Sequence, residues 1–111
     1  MVVKSENVEY EILDSKSRRK ILCHEGGLMM VEVIMDKGGE GKPHTHPHEQ
    51  ITYVAEGAFE FTIDGEKIVV KSGDSLYIPP DAIHGTVALE DGKLIDVFSP
   101  QREDFLKEKA K

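Results

Sequence analysis

The stretch KPHTHPHEQITYVAEG, residues 42–57, sets His44, His46 and His48 close together and follows them with Gln50. His44 and His46 are two apart, so on an extended chain both imidazoles point to one side, and Gln50 shares their parity. Pro47 interrupts any continuous ladder through the stretch. Two neutral imidazoles side by side form one edge of a coordination polyhedron for a divalent transition metal. An isolated pair of this kind equally describes surface or core histidines, so a second element is needed. GDSLYIPPDAIHG, residues 73–85, supplies one: a strand runs into a Pro-Pro turn and returns with His84.

Other residues could move protons or hold anions. In KLIDVF, residues 93–98, Leu94, Asp96 and Phe98 share one face while Ile95 and Val97 share the other. Asp96 is thus a carboxylate in a strand that is otherwise apolar. A buried carboxylate must be paired, hydrogen-bonded or protonated, and its perturbed pKa is what a general acid or base needs. A structural Asp bonded to a neighbouring strand or to an arginine fits the pattern equally well. Next comes SPQREDFL, where Arg102 stands three and four residues before Phe105 and Leu106, hence on the docked face of a helix. An inward guanidinium can grip a carboxylate with two hydrogen bonds, although a salt bridge to Glu103, Asp104 or Asp96 is its commoner fate.

The elements that must position these groups read as strands. In LMMVEVIMD, residues 28–36, Met29, Val31, Val33 and Met35 share one face, and Leu28, Met30, Glu32 and Ile34 the other. That predicts a strand buried on one side and partly covered on the second. Phe59, Phe61 and Ile63 alternate with polar residues, and Asp64-Gly65 supplies a hairpin turn before EKIVVK. Short strands recur through ITYVA, SLYI, GTVAL and KLIDVF between Gly, Pro and Asp signals, which predicts an all-β barrel. Only the end reads as helical: Ser99 can cap, Pro100 suits the first turn, and Phe105 and Leu106 give an apolar face.

With 111 residues the chain fits one domain, with N-terminal strands in 8–24, a barrel over about 28–98 and a helix over about 100–108. A formal charge of −7 repels phosphate backbones, and Arg18-Arg19-Lys20, the basic cluster, is expected on a solvated strand edge, so nucleic acid is excluded as a partner. Cys23 is the sole cysteine, no stretch could span a membrane, and the N-terminus lacks a signal peptide's apolar core. A reducing cytoplasm is the expected compartment. His24, remote from both histidine stretches, is expected to be structural or exposed.

The order Gly38, His44, His46, Gln50, Gly57, then Gly73, Pro79, Asp81 and His84, resembles the two motifs of the cupin family. The resemblance implies a double-stranded β-helix, or jelly-roll barrel. Inside it, His44, His46, the residue at position 50 and His84 would hold one divalent metal: Ni, Zn, Mn or Fe. The sequence departs from the common pattern at Gln50 for Glu, Asp81 for Gly and Ala88 for Asn. Gln50 is the departure that bears on the metal. An amide oxygen is neutral, so the ion keeps its full positive charge and should attract an anionic substrate. Glu49 is the alternative fourth ligand, though of opposite parity, and a cage without metal is the other alternative. His48 is expected at the rim.

Together, HTHPHEQITYV, IPPDAIHG and DVFSPQREDF are similar to the KdgF-type cupins, which act in pectin and alginate breakdown. That resemblance implies conversion of 4,5-unsaturated monouronates, the products of polysaccharide lyases, into linear 4-deoxy-5-keto uronates. It also implies metal on three His and a Gln, with Asp96 moving the proton, Arg102 holding the substrate carboxylate and Phe98 shaping the pocket. A homodimer is expected from the two-sided apolar strand and from the resemblance. The rival readings are an Fe(II)-dependent cupin dioxygenase and a non-catalytic sugar-binding cupin.

Overall fold

Alternation of apolar and polar residues is resolved by two antiparallel sheets that face each other across a shared core. The computed structural model describes residues 1–109. After a 3-10 turn at Ser5–Asn7 come β1 (Glu11–Asp14), β2 (Ser17–Glu25), β3 (Leu28–Met35), β4 (Glu40–His44) and β5 (Glu49–Glu56). They are followed by β6 (Ala58–Ile63), β7 (Glu66–Lys71), β8 (Ser75–Ile78), β9 (His84–Ala88), β10 (Gly92–Ser99) and a helix, α1 (Glu103–Lys109). One sheet has the order β1-β2-β3-β10-β5-β8 and the other β4-β9-β6-β7. From β3 onward the chain passes back and forth between the sheets, which is the jelly-roll barrel expected from the sequence.

The inward faces follow the alternation. Met29, Val31, Val33 and Met35 of β3 are buried, as are Phe59 and Phe61 of β6 and Leu94 and Phe98 of β10. Each large apolar side chain fully removed from water contributes about 1.5–3 kcal/mol. The outward face of the larger sheet is different: Leu28, Met30, Ile51, Tyr53 and Tyr77 are all exposed on the single chain.

Turn chemistry fixes the register. Asp64 and Gly65 both take positive φ between β6 and β7, as the hairpin requires. Gly57 has φ +83°, and a Cβ there would lie 2.6 Å from the Asp91 carbonyl oxygen, so the motif glycine is demanded twice over. Among the described residues no helix is long and apolar enough to cross a membrane.

Three local expectations are corrected. Ser99 does not cap the helix, because it is the last residue of β10 and pairs with Glu49; Pro100 likewise lies before the helix, which starts at Glu103. The basic cluster does not lie on a sheet edge, since β2 runs between β1 and β3. Arg18 and Lys20 lie over the Tyr10 ring, while Arg19 is buried on the inward side. Finally, His44, His46 and Gln50 do not share one strand: His44 ends β4, His46 lies in the loop, and Gln50 is on β5.

Candidate metal centre

Two strand ends and one loop bring three imidazoles together. His44 is the cross-strand partner of His84 in the β4–β9 pair, and their ring centroids are 4.4 Å apart. His46 is held from outside: its backbone carbonyl accepts the Asp81 N–H at 2.9 Å. Asp81 itself has φ +65°, a left-handed conformation that Asp tolerates better than most residues, so it can stand where the common motif has Gly. Asp64 secures the approach to His84 by donating its N–H to the Ile83 carbonyl at 2.7 Å, and its side chain accepts the Ile83 N–H at 2.9 Å. One ligand atom from each of His44, His46 and His84 falls within 4.8 Å of the others. Nitrogens held about 2.1 Å from one ion lie about 3–4 Å apart, so small ring rotations let all three serve one ion.

The hydrogen bonds around the rings define what the centre can accept. Each Nδ1 faces a backbone carbonyl: Lys42 for His44 at 2.9 Å, Ala82 for His84 at 2.9 Å, and His48 for His46 at 3.1 Å. A carbonyl only accepts, so in His44 and His84 the proton sits on Nδ1 and the Nε2 lone pair is left for a metal. Gln50 is oriented in the same sense, its amide nitrogen donating to Thr52 Oγ1 at 2.9 Å and Asp96 Oδ1 at 3.3 Å. Its oxygen therefore faces His46 Nε2, 3.0 Å away.

His46 thus meets an acceptor at each ring nitrogen, and a neutral imidazole has one proton to offer. An imidazolium would satisfy both, but burial, followed by the Arg102 charge, lowers the His46 pKa to about 4 in spite of Gln50. A cation shared by Nε2 and the amide oxygen satisfies both acceptors. The donor set therefore fits one divalent ion on three imidazoles and one amide. Burial also lowers the His84 pKa, which keeps that ring neutral and able to ligate.

Beyond the amide, the network continues to an acid. Asp96 of β10 lies opposite Thr52 of β5, whose hydroxyl donates to Asp96 at 2.7 Å. Burial raises the Asp96 pKa to about 6, against the lowering pull of the Thr52 and Gln50 hydrogen bonds and the Arg102 charge. The inward parity read from KLIDVF is what the strand adopts.

Of these groups, His44, Gln50, His84 and Asp96 line a cavity of about 220 Å³ that also includes Phe98, Arg102 and Phe105 in its wall, while His46 faces an outer groove beside it. Phe98 is buried with its ring edge-on to His46, centroids 5.7 Å apart. Arg102 is buried too, but it precedes the helix instead of lying on it: its carbonyl accepts the Phe105 N–H at 3.0 Å. Its Nε and Nη2 grip the Asp104 carboxylate at 3.0 and 2.8 Å, and its guanidinium lies over the Phe98 and Phe105 rings. The salt bridge and the cavity position, read from sequence as alternatives, are both present.

The remaining candidates fall away from the centre. Glu49 is exposed and accepts the Tyr77 hydroxyl at 2.8 Å, so the alternative fourth ligand points out of the barrel. His48 stands at the rim beside Arg102 and Asp104 in a shallow outer groove. His24 pairs through Nδ1 with Gln101 Oε1 at 2.8 Å. A wider open groove of about 670 Å³, between the N-terminal segment and β2, contains His24 but none of the centre's residues. Sequence reasoning missed Thr52, which shares the parity of Gln50 on β5, and Arg19, which lines the cavity from β2.

The cupin domain family matches residues 31–98, the span from β3 to Phe98 of β10. The pectin degradation protein KdgF of Dickeya dadantii is 48% identical over 99 residues, covering 87% of this chain and 90% of that protein. Among solved structures, that of KdgF from a Halomonas species aligns with a TM-score of 0.90 at 40% identity, over 95% of this chain and 97% of the other. An RmlC-like cupin from Shewanella frigidimarina aligns with a TM-score of 0.89 at 42% identity, over 94% of each chain. The chain belongs to the cupin family and, within it, to the relatives of KdgF.

Proposed function

We propose that this chain is an enzyme that converts 4,5-unsaturated monouronates into linear 4-deoxy-5-keto uronates in the cytoplasm, with one divalent metal on His44, His46, Gln50 and His84. The observation that carries the reading is the chain of bonds from Gln50 through Thr52 to Asp96: a carboxyl group with a pKa of about 6 is coupled to the histidine cluster inside one cavity. A positioned acid-base group beside a cation site is what a proton-transfer isomerisation needs. The relation to a pectin degradation protein supports the substrate class.

The reaction is an isomerisation, so its atoms balance without a co-reactant. The anomeric hydroxyl loses its proton, the bond between C1 and the ring oxygen breaks, and C1 becomes an aldehyde. The enolate left at C5 gains a proton at C4 and becomes a ketone, so that one proton is lost and one gained. When bound, the metal supplies a positive charge that polarises sugar oxygens. Asp96, with a pKa of about 6, can take up one proton and deliver one near neutral pH. Thr52 and Gln50 fix the orientation of that carboxyl group through the bonds given above. Arg102 presents a cation for the uronate carboxylate, and Phe98 forms a flat apolar wall between the histidines and Phe105.

The test is to add the purified metal-loaded protein to 4,5-unsaturated galacturonate and follow loss of the enol-ether absorbance with and without oxygen. Acceleration over the spontaneous reaction, equal in both atmospheres, is expected. No acceleration overturns the proposal, and consumption that requires oxygen and bound iron replaces it with the dioxygenase reading.

A further inference from the structure

Asp64 is exposed and stands outside the cavity wall, so its carboxylate takes no part in the reaction just described. It is joined to the histidine centre through backbone instead. Ile63, the last residue of β6, is the cross-strand partner of His84 at the start of β9. One step further along the same pair, Asp64 meets Ile83. The Asp64 N–H donates to the Ile83 carbonyl at 2.7 Å, and the Ile83 N–H donates to the Asp64 carboxylate at 2.9 Å. With φ at +47° the chain is already turning at Asp64, and the side chain provides the acceptor that a strand's own carbonyl would have provided. Ile83 is thereby gripped on both of its backbone polar groups.

The segment that ends at Ile83 serves two of the imidazoles. Residues 79–83 cross from β8 of the larger sheet to β9 of the smaller one. Within them the Asp81 N–H donates to the His46 carbonyl at 2.9 Å, and the Ala82 carbonyl accepts His84 Nδ1–H at 2.9 Å. Ala82 is buried, whereas the Ile83 side chain is 56% exposed. Apolar packing therefore fixes the middle of the segment, and hydrogen bonds fix the end from which His84 departs. Because the Asp64 carboxylate faces water its charge is screened, so what it contributes there is the position of an acceptor oxygen.

We propose that Asp64 is a positioning residue of the metal centre: by holding Ile83 it sets the direction from which the His84 ring enters, and it steadies the segment on which His46 also rests. Groups that orient ligands from outside the coordination sphere are worth roughly 10–100-fold in metal affinity. The inference rests on the reading of His44, His46, Gln50 and His84 as a site for one divalent ion.

The experiment measures zinc affinity by competition with a chromophoric chelator, and Tm of the metal-free protein, in the wild type, Asp64→Gly, Asp64→Asn and Gly65→Ala. Glycine adopts positive φ freely, so Asp64→Gly keeps the turn and its N–H and deletes only the carboxylate. Asp64→Asn keeps an acceptor oxygen without the charge. Gly65→Ala strains the next turn position, at φ +85°, where an added Cβ meets nothing within 4 Å among the described residues, and leaves the Asp64–Ile83 bonds in place. Asp64→Gly should weaken zinc binding about tenfold or more and Asp64→Asn by less than about threefold. Gly65→Ala should lower the metal-free Tm with zinc affinity unchanged. Wild-type affinity in Asp64→Gly overturns the role and leaves Asp64 a turn residue. An equal loss in Gly65→Ala overturns it too, since any disturbance of the hairpin would then suffice, and an equal loss in Asp64→Asn overturns it in favour of a charge effect. If Asp64→Gly does not fold, Asp64→Ser, whose shorter side chain falls short of the Ile83 N–H, is judged by the same outcomes. Absence of zinc binding in the wild type sinks the metal centre itself, whereas failure of the positioning role alone leaves wild-type binding intact.

Discussion

The amide nitrogen of Gln50 lies 3.3 Å from Asp96 Oδ1 while the amide oxygen of the same side chain faces His46 Nε2 at 3.0 Å. One carboxamide thus joins the histidine cluster to the acid, accepting on one side and donating on the other. A glutamate at this position could serve the metal equally well but would set a second carboxylate against Asp96 and remove its donor. Gln50→Glu is therefore expected to keep its metal, as measured by elemental analysis, and to lose about 100-fold or more in kcat, the scale of a misplaced acid-base group. Retention of wild-type turnover would show that the amide's donor side is dispensable.

Asp96→Asn separates proton transfer from binding. The amide is close in shape, and Thr52 and Gln50 can still hydrogen-bond to it, so the cavity should keep its form. The group can no longer carry a proton. We expect kcat to fall by about 10²–10⁴ with KM changed less than threefold and metal content intact. A fall in apparent affinity at constant kcat would instead assign Asp96 to binding, as a sensor would require.

What the sequence disclosed and what it hid follow from how far apart the contacting residues lie. The parity of His44, His46 and Gln50 survives even though a strand end, a loop and a second strand carry them, because the barrel closes around the same face. Asp96 was legible from alternation within its own strand. Thr52 obeys the same alternation but is an ordinary strand residue, so nothing local marks it as the link between Gln50 and Asp96. Arg19 was illegible for a different reason: its cover comes from Glu11 of β1 and Phe105 of α1, and a run of three basic residues reads locally as a solvated surface. The helix start was misplaced because Ser-Pro is a capping signal, whereas pairing of Ser99 with Glu49 in the sheet overrides it.

Removal of the metal should be visible in stability as well as in activity. Because His46 meets two acceptors with one proton, the metal-free centre contains an unfavourable contact that an ion relieves. At a hundredfold excess over Kd an ion adds about 2.7 kcal/mol, which corresponds to about 10 °C in Tm for a domain of this size. Chelation should lower Tm by that order and abolish turnover, and both should return on adding metal back. In a His44→Ala/His84→Ala double variant the chelator should have no effect, and elemental analysis should find no bound metal.

The homodimer expected from the sequence has a specific surface to use. Leu28 and Met30 of β3, Ile51 and Tyr53 of β5, and Tyr77 of β8 are exposed on one sheet face, with half-buried Ile95 and Val97 of β10 between them. A contiguous apolar face of this kind is characteristic of an interface, and a second copy of an antiparallel sheet can cover it about a two-fold axis. Light scattering after gel filtration should give twice the chain mass for the wild type and the chain mass for Ile51→Glu, with turnover retained because the face points away from the cavity. A monomeric wild type at micromolar concentration would rule the dimer out.

Asp104 tests whether Arg102 must be oriented to act. Its carboxylate is half exposed, so its charge is well screened, and removing that charge changes the potential in the cavity little. The larger effect is geometric: without the fork on Nε and Nη2 the guanidinium is free to rotate on its stem, and the ordering lost must be supplied when substrate binds. Asp104→Asn leaves an amide that can still accept one hydrogen bond, so the expected change is a KM raised about threefold with kcat within twofold, and Asp104→Ala should raise KM further. A KM that falls in both variants would mean that Asp104 competes with the substrate carboxylate for Arg102 instead of presenting the guanidinium to it.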